Sequence, residues 1–310
     1  MKLYAKTALV SAAACAVPVY LSYRFFQGAC LRKPQGYSKK EHVSNDPYVQ
    51  VRREAKERLQ KVTGEDLWIT SEDGLRLHAL WLENADAERI IICVHGYRGT
   101  YSGNFGVPYD FLKDTCSFLM IDARTRGQSE GTYITYGAKE KDDVYLWLQK
   151  VLEITEDLPV YLYGVSMGSS TVLMNTARQK HERFKGVIAD CGYTDMQTII
   201  TEVMEKDYHL PPFPLIPLIG CWCRLLAHFR MEDADALAVL RNANVPVLFL
   251  HGLKDNYVTV HHTIENSAVC ASVHNTVLFE NAGHGACAAS DPKRYSEAMH
   301  AFFTEQEKGG

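Results

Sequence analysis

The sequence has no CxxC pair, although nine cysteines are scattered among its 310 residues. An odd number of cysteines argues against a disulfide framework, and the missing pair argues against a zinc site. A surplus of positive charge is also missing, because 33 Lys and Arg residues face 37 Asp and Glu residues and the net charge is −4. No run of basic residues with interleaved aromatics is present, so a nucleic-acid partner is not expected.

The composition is otherwise ordinary for a globular protein, with 46% hydrophobic and 23% charged residues. These fractions exclude a disordered chain, a collagen and a multi-pass membrane protein. No repeat with a period of about 20–50 residues is visible, so a solenoid or propeller is not expected. A chain of this length can bury a large core without disulfides or metal ions.

The amino-terminal region contains an uncharged and largely apolar stretch, Thr7–Tyr23, between Lys6 and Arg24. Its length is at the short end of what spans about 30 Å of hydrocarbon. We predict that residues 1–33 form an uncleaved single-pass membrane anchor. Three alternatives stay open: a cleaved signal peptide, a lipoprotein signal ending at Cys15 and an ordinary amphipathic helix.

The charges that flank this stretch indicate its orientation. Two lysines precede it, and five basic residues follow it: Arg24, Arg32, Lys33, Lys39 and Lys40. Because positive charges favour the cytoplasmic side, we expect a membrane-bound protein whose catalytic domain lies on that side. Free cysteines favour the same side.

Residues 34–64 are predicted to be a linker followed by a short helix. Residues 34–46 are polar and contain Pro, Gly, Ser and Asn, which is typical of a linker. From Tyr48 to Val62, apolar residues recur at helical spacing among charges. A β-hairpin is predicted next, with arms at Asp66–Thr70 and Leu75–Glu83, because apolar and polar residues alternate in the second arm.

The rest of the chain alternates between buried strands and helices. Short continuous apolar runs, typical of strands buried on both faces, occur at residues 89–94, 117–121, 160–163, 186–189, 245–250 and 276–279. Helical patterns lie between them at 139–152, 167–179, 260–270 and 291–304. The alternation predicts an α/β doubly wound sheet over residues 65–195 and 244–305.

One segment interrupts this alternation, because residues 196–243 are too long for a plain connection between two strands. Its middle, residues 211–229, is apolar and rich in proline, so it cannot form one straight helix. We predict an inserted helical cap, with an irregular loop as the alternative. The cap residues expected to line a substrate site are Phe213, Leu215, Ile216 and Trp222. The alternative for these four is the core of the cap itself.

The chemistry is predicted at the ends of strands. Residues 164–168 form a Gly-x-Ser-x-Gly motif between a strand and a helix of small residues. In that setting the motif is typical of a nucleophile elbow, which presents Ser166 above the sheet. The N–H of Met167, in the first turn of the helix, is expected to stabilise an oxyanion.

A serine nucleophile needs a histidine base, which a carboxylate holds in place. In this architecture the chain order is Ser, then Asp or Glu, then His. Asp255 follows the strand at 245–250, and His284 follows the strand at 276–279. We therefore predict Asp255 as the carboxylate and His284 as the general base and acid. Asp190, at another strand end, is the alternative carboxylate.

The other features near strand ends complete the predicted site. His251 precedes a glycine, which favours a structural role, and His261 and His262 are expected to be solvated at a helix start. An HGxxG pattern at residues 95–99 follows an early strand, and its glycines allow close approach of the backbone. The N–H of Tyr97 is the expected second oxyanion donor.

The combined motifs resemble the α/β-hydrolase family, in particular its cap-bearing serine esterases, monoacylglycerol lipases and serine aminopeptidase-like hydrolases. The resemblance covers about residues 65–305 and depends on residues 95–99, 122–131, 164–168, 251–255 and 283–284. It implies an eight-stranded, mostly parallel sheet with helices on both faces, hydrolysis through an acyl-enzyme, and neither a metal nor an organic cofactor. Arg126 stands where relatives often have a histidine, at a position that is structural in the family.

A serine triad with an oxyanion hole supports acyl transfer to water. Because esters are easier acyl donors than amides, we predict a carboxylic ester hydrolase for small to medium esters with apolar acyl or aryl groups. One alternative is a serine aminopeptidase-like peptidase, in which acidic cap residues would hold the substrate amine: Glu202, Glu205, Asp207, Glu232, Asp233 and Asp235. Another is a non-catalytic binding module that retains the fold.

Overall fold

The structure, a computed structural model, describes residues 2–34, 47–178 and 181–308, with side chains from residue 16 onward. Of the predicted linker at 34–46, only residue 34 is among the described residues, and the others lie outside them. The sheet has eight strands: β1 (Glu65–Thr70), β2 (Arg76–Leu82), β3 (Arg89–Val94), β4 (Cys116–Ile121), β5 (Val160–Val165), β6 (Phe184–Asp190), β7 (Val247–Gly252) and β8 (His274–Phe279).

The strand order is β1-β2-β4-β3-β5-β6-β7-β8. Strand β2 runs antiparallel to β1 and β4, whereas all other neighbours are parallel. The predicted mostly parallel eight-stranded sheet is therefore confirmed. Because β3, β5, β6, β7 and β8 run in one direction, the loops that follow them open at the same edge of the sheet.

The helices are α1 (Lys2–Cys30), α2 (Val49–Leu59), α3 (Tyr101–Leu112), α4 (Glu140–Ile154), α5 (Met167–Leu173), α6 (Met196–Tyr208), α7 (Pro212–Leu226), α8 (Ala236–Leu240), α9 (Val260–Val269), α10 (Cys287–Ser290) and α11 (Pro292–Glu307). They cover both faces of the sheet. On one face, Trp147 of α4 and Leu240 of α8 join the apolar side chains of the strands. On the other, Phe105 of α3 and Phe303 of α11 do so.

Helix α3 has a sequence that does not predict a helix, because it contains Gly103, Gly106 and Pro108. It forms through packing, since a Cβ at Gly106 would lie only 2.7 Å from the backbone of Ala55 in α2. The side chain of Thr100 caps the helix by accepting a hydrogen bond from the Gly103 amide. Tertiary contact therefore decides this element.

Residues 196–243, hereafter the inserted segment, lie between β6 and β7. They contain α6, α7, a short 3₁₀ turn at Met231–Asp233 and α8. Helix α7 is interrupted near its start, because Phe213 has non-helical backbone angles. Helices α6 and α7 share a third apolar cluster with the carboxyl end of α1, whereas α8 packs on the sheet.

The expectation of a membrane anchor in residues 1–33 is wrong. In the part of the chain that the structure describes, no helix combines the length and the apolar character that crossing a bilayer requires. The carboxyl-terminal part of α1 packs within the protein, where Phe26 is 1% exposed. Trp222 of α7 donates a hydrogen bond of 3.1 Å to Ser22 Oγ of α1. The predicted single-pass membrane location is therefore wrong as well, and the charges that flank residues 7–23 no longer indicate a side of a membrane.

Candidate active site

Ser166 lies in a sharp turn between β5 and α5. Its backbone φ is 57° and its ψ is −120°, a conformation that costs an ordinary side chain strain energy. Close packing enforces the turn, because a Cβ at Gly164 would lie 2.2 Å from the Gly168 carbonyl oxygen, and one at Gly168 would lie 1.9 Å from the Val94 carbonyl oxygen. The geometry is that of a nucleophile elbow.

His284 links Ser166 to Asp255. The Ser166 hydroxyl lies 2.8 Å from His284 Nε2, and His284 Nδ1 lies 2.7 Å from Asp255 Oδ2. Two strand-end loops, after β7 and after β8, bring the carboxylate and the imidazole to the edge where β5 presents the serine. The structure thus brings together three residues that are spread over 118 positions of the chain.

Asp255 is held as a carboxylate by its neighbours. Its Oδ1 accepts hydrogen bonds from the amides of Tyr257 at 2.9 Å and Val258 at 3.0 Å. Burial by itself raises the pKa of Asp255, but the charge of His284 and the hydrogen bonds to the carboxylate lower the pKa by a larger amount. The net result is a pKa well below the usual range of an aspartate, so Asp255 can stabilise an imidazolium on His284.

Asp190, the alternative carboxylate, has different partners. It is buried at the end of β6, where Tyr295 donates a hydrogen bond of 2.9 Å to its Oδ2. Desolvation raises its pKa above the usual range. Its backbone carbonyl accepts the Ser166 amide at 2.8 Å, so Asp190 supports the elbow from the main chain.

The HGxxG loop after β3 lies directly against the serine. A Cβ at Gly96 would be 3.1 Å from both Ser166 Cβ and the Val165 carbonyl oxygen. The Gly96 amide donates to Asn104 Oδ1 at 2.9 Å, which fixes the start of the loop. Met167 is the first residue of α5, so its amide has no partner within the helix and is available to an oxyanion.

The carboxyl end of α1 binds this loop. The Tyr97 hydroxyl donates a hydrogen bond of 2.6 Å to the Ala29 carbonyl. The Arg98 guanidinium donates to the carbonyls of Gly28 at 2.7 Å and Leu31 at 3.2 Å. Carbonyls at the end of a helix lack intrahelical partners and carry partial negative charge, so a guanidinium is a suitable partner for them. Arg98 makes these contacts with a φ of 54°.

Arg126 also supports the loop, since its Nε donates a hydrogen bond of 3.2 Å to the Gly99 carbonyl. Desolvation and the nearby charges of Arg32 and Arg98 lower its pKa. From the sequence, Arg126 is only a departure from the family pattern. The structure therefore assigns it a contact that holds the loop next to Ser166.

Several aromatic rings lie near the site, and those of Tyr136, Tyr193 and Tyr257 were not among the residues predicted from the sequence. The Tyr257 ring lies 5.1 Å from the His284 ring, in an edge-to-face arrangement. The Tyr97 ring lies 5.4 Å from that of Tyr136, which in turn lies 6.5 Å from that of Tyr193. The position of Tyr257, two residues after Asp255 in the same loop, was the signal that could have identified it.

The four predicted lining residues of the inserted segment have separate environments. Phe213 is 79% exposed and, with Ile216, lines an open groove of about 530 Å³ whose lining contains no residue of the predicted triad. Leu215 is buried in the apolar cluster shared with α1. Trp222 packs edge-to-face on Tyr23 with 5.2 Å between ring centroids. Their role in substrate binding stays a prediction.

Among the described residues, one group with metal-binding atoms in reach of one another coincides with this site. It comprises Cys191, Asp255 and His284, whose ligand atoms lie within 4.8 Å of one another. Both ring nitrogens of His284 already have hydrogen-bond partners, Ser166 and Asp255. Burial raises the pKa of the Cys191 thiol, which keeps it protonated. The group is therefore better suited to proton transfer than to metal binding.

A family model described as the prolyl oligopeptidase family matches residues 129–309, more than half of the chain. The uncharacterized protein YqkD of Bacillus subtilis is 26% identical over 223 residues, which are 70% of this chain and 72% of YqkD.

Two solved structures show the same fold. The esterase Pf2001 of Pyrococcus furiosus superposes with a TM-score of 0.64 at 20% identity, over 80% of this chain and 93% of the esterase. The α/β hydrolase GrgF of a Penicillium species superposes with a TM-score of 0.63 at 14% identity, over 79% of this chain and 99% of GrgF. The α/β-hydrolase fold expected from the motifs is thereby confirmed.

Proposed function

Because this chain belongs to the prolyl oligopeptidase family, and is thus a serine hydrolase, we propose that it cleaves carboxylic esters with apolar acyl or aryl groups through an acyl-enzyme. One observation carries the proposal: the hydrogen-bonded series Ser166–His284–Asp255, with contacts of 2.8 and 2.7 Å. This series has the geometry that a serine nucleophile needs for activation.

In the first half-reaction, His284 Nε2 accepts the Ser166 proton while Oγ attacks the ester carbonyl carbon. The oxyanion of the tetrahedral intermediate receives hydrogen bonds from the amides of Tyr97 and Met167. The imidazolium, which Asp255 stabilises, then gives its proton to the leaving alkoxide, and the alcohol departs. In the second half-reaction, His284 deprotonates a water that attacks the acyl-enzyme, and Ser166 regains its proton as the acid leaves.

We assign substrate enclosure to the inserted segment, acting as a cap. The apolar cluster of α6 and α7 includes Met167 and Val258, which flank Ser166 and Asp255 in the chain. An apolar surface that begins beside the nucleophile favours an apolar acyl or aryl group. Phe213, Leu215, Ile216 and Trp222 stay our candidates for this surface. Phe213 and Ile216 line the open groove, whereas Leu215 and Trp222 pack with α1.

An aminopeptidase-like activity is the second candidate, because the family includes peptidases by its name. Four of the six acids considered for binding a substrate amine already have partners: Glu202 with His262, Glu232 with Arg224, Asp233 with the Arg230 amide and Asp235 with the Ala238 amide. Asp207 is the best remaining acid. Desolvation and then the negative charge of Asp207 raise the pKa of Tyr257. The Tyr257 ring contacts His284, so the charge of Asp207 acts close to the proposed site.

The decisive experiment compares p-nitrophenyl esters of increasing acyl length with aminoacyl anilides, using Ser166→Ala as the blank. We expect turnover of the esters, with the Ser166→Ala protein inactive, and no effect of Asp207→Asn. A preference for anilides that Asp207→Asn abolishes would assign the peptidase activity instead.

Covalent labelling separates both enzymes from a non-catalytic module. A fluorophosphonate should label the wild-type protein once, and Ser166→Ala should not react. Folded wild-type protein that takes up no label would exclude the proposed mechanism. Thr171→Ser is the control. It is a conservative change in α5, the helix that follows Ser166, and should leave labelling intact.

A further inference from the structure

A second group of polar side chains lies between α6 and α9. His262 Nε2 is 3.1 Å from Glu202 Oε2, and His261 Nε2 is 3.3 Å from Glu202 Oε1. One nitrogen of each histidine and one carboxylate oxygen lie within 4.8 Å of one another. The sequence analysis expected both histidines to be solvated, which is wrong for His262, since it is completely buried.

The opposite nitrogens of the two rings have similar partners. His261 Nδ1 contacts the Thr259 hydroxyl, and His262 Nδ1 lies 3.1 Å from the Thr194 hydroxyl. The Thr194 hydroxyl gives its own proton to Asp195 Oδ2 at 3.1 Å, so its oxygen can accept one from His262. Both Nε2 atoms are thus left facing the carboxylate. Histidines that bind metals typically donate their other N–H to an oxygen in this way.

The two rings are stacked on each other, and the Nε2 atoms of both contact Glu202. Their centroids are 4.2 Å apart with an interplanar angle of 27°. The His261 side chain is 47% exposed and that of Glu202 is 31% exposed, so an ion could enter from solvent. The buried His262 closes the inner side. Little side-chain entropy remains to be lost on binding, because packing and threonine contacts already restrict both rings.

We propose that Glu202, His261 and His262 form a binding site for a divalent transition metal of the zinc class, which joins the inserted segment to the hydrolase core. Two imidazole nitrogens and one carboxylate oxygen are a common zinc ligand set, with a fourth position left to water. Imidazole ligands favour zinc, copper or nickel over magnesium and calcium, which require oxygen. The absence of a CxxC pair has no bearing on such a site.

Binding requires one rearrangement. The Thr194 amide lies 3.3 Å from His262 Nδ1, which places the ring proton on Nε2 when Glu202 is the partner. When Nε2 binds a metal, that proton resides on Nδ1 and is donated to the Thr194 hydroxyl. The exchange gives up the contact from the buried Thr194 amide, a cost that the metal–nitrogen bond has to offset.

The site lies close in sequence to the proposed catalytic carboxylate. His261 follows Asp255 by six residues, and the intervening Val258 carbonyl lies 2.8 Å from His251 Nε2. A metal between α6 and α9 would therefore restrain the inserted segment relative to the Asp255 loop. The inference stands without the proposed function, because its first readout is metal binding.

The test titrates Co²⁺, and then Zn²⁺, into full-length protein from which metals have been removed with a chelator. Visible d–d absorption reports the geometry of the cobalt site, and competition reports zinc affinity. We expect one ion per chain and a rise in the melting temperature on zinc addition. Glu202→Gln and His261→Ala should each raise the Kd by at least about 10–100-fold, the loss known for mutating a residue that only supports a metal ligand.

His274→Ala is the matched control, since His274 is exposed on β8 outside the cluster. It should bind zinc as the wild-type protein does. His261→Ala changes a half-exposed side chain, so it should remain folded, which its metal-free melting temperature checks. No stoichiometric binding, or an unchanged Kd in Glu202→Gln, would overturn the proposal. Binding that is lost only in His284→Ala would place the ion at the serine site and overturn it equally.

Discussion

At the scale of single residues, Asp255 has partners on both of its carboxylate oxygens. One carboxylate oxygen accepts two backbone amides, and the other faces His284 at 2.7 Å and His251 at 3.4 Å. These contacts keep the pKa of Asp255 low in spite of its burial. They also fix the orientation of the carboxylate, so that His284 keeps its Nδ1 proton toward it.

We expect Asp255→Asn to lower kcat about 10³–10⁴-fold, with little change in KM. An amide cannot stabilise the imidazolium, and it can favour the wrong histidine tautomer. Ester hydrolysis by purified variants measures the effect. Asp190→Asn serves for comparison, because Asp190 is also a buried strand-end acid but bonds Tyr295. An equal or larger loss of kcat in Asp190→Asn would contradict the assignment.

His78 provides a pH-dependent contribution to stability. Its side chain is 4% exposed, with Asp122 Oδ2 at 2.8 Å from Nδ1 and Asp66 Oδ1 at 2.9 Å from Nε2. Burial lowers the pKa of His78, but the two carboxylates raise it more, so the net pKa lies above its usual value. The ion pairs of His78 therefore stabilise the fold fully at pH values below the pKa of the unfolded chain, which is about 6.5. This stabilisation is lost as the pH rises through the pKa of His78 in the folded protein.

We therefore expect His78→Gln to lower the melting temperature more at about pH 5.5 than at about pH 9, on either side of the histidine range. Thermal unfolding of both proteins at the two pH values measures the difference. His181→Gln, at an exposed position, should show no such dependence. A constant difference between wild type and His78→Gln would mean that the ion pairs contribute nothing.

At the scale of secondary-structure elements, the contact between α1 and the HGxxG loop connects packing to catalysis. The end of the helix accepts hydrogen bonds from Tyr97 and Arg98, and the Tyr97 amide is the proposed oxyanion donor. Arg98 adopts a left-handed backbone, which costs about 1–3 kcal/mol unless its side-chain contacts compensate. The helix thus holds the loop in the conformation that the oxyanion hole needs.

We expect Arg98→Ala to lower kcat about tenfold while KM changes little, a fraction of the loss that follows removal of an oxyanion donor. The amide would still be present but less well oriented. Steady-state kinetics with a short ester measures both constants. Arg53→Ala, an exposed change on α2, is the control. A rise in KM at constant kcat would assign Arg98 to substrate binding rather than to positioning.

At the scale of the whole molecule, α1 belongs to the same apolar cluster as α6 and α7. Phe26 lies in this cluster and its ring is 5.6 Å from that of Tyr133. Two backbone contacts continue this packing along the chain. Leu31 forms an isolated β-bridge with Tyr133, and the Arg32 amide donates a hydrogen bond to the Thr132 carbonyl. The amino-terminal helix therefore closes the apolar surface that the inserted segment presents.

We expect Phe26→Ala to reduce the free energy of unfolding by about 3–5 kcal/mol, as for other fully buried phenylalanines. Val19→Ala, on the exposed side of the same helix, should change it by less than about 0.5 kcal/mol. Urea unfolding followed by circular dichroism measures both. Equal stability of Phe26→Ala and wild type would show that α1 is not part of the folded core.

Much of the fold was predictable because its physical cause is local. Strands covered on both faces must be largely apolar, so β3 to β7 are visible as nearly continuous apolar runs. Gly164 and Gly168 mark the elbow, since no other residue fits against the backbones they contact. Helix α3 was not predicted, because its glycines and Pro108 disfavour a helix, and only the structure reveals that Gly106 packs against α2.

The sequence by itself determined the parallel sheet, the elbow at Ser166 and the chain order of Ser166, Asp255 and His284, since each depends on local geometry and strand direction. Only the tertiary structure decided where the apolar face of α1 lies and that His262 is buried against Glu202. Hydrophobicity measures the free energy of leaving water and is nearly the same for a bilayer and for a protein core. The destination of an apolar helix therefore depends on whether the rest of the chain supplies a complementary surface, and here α7 does.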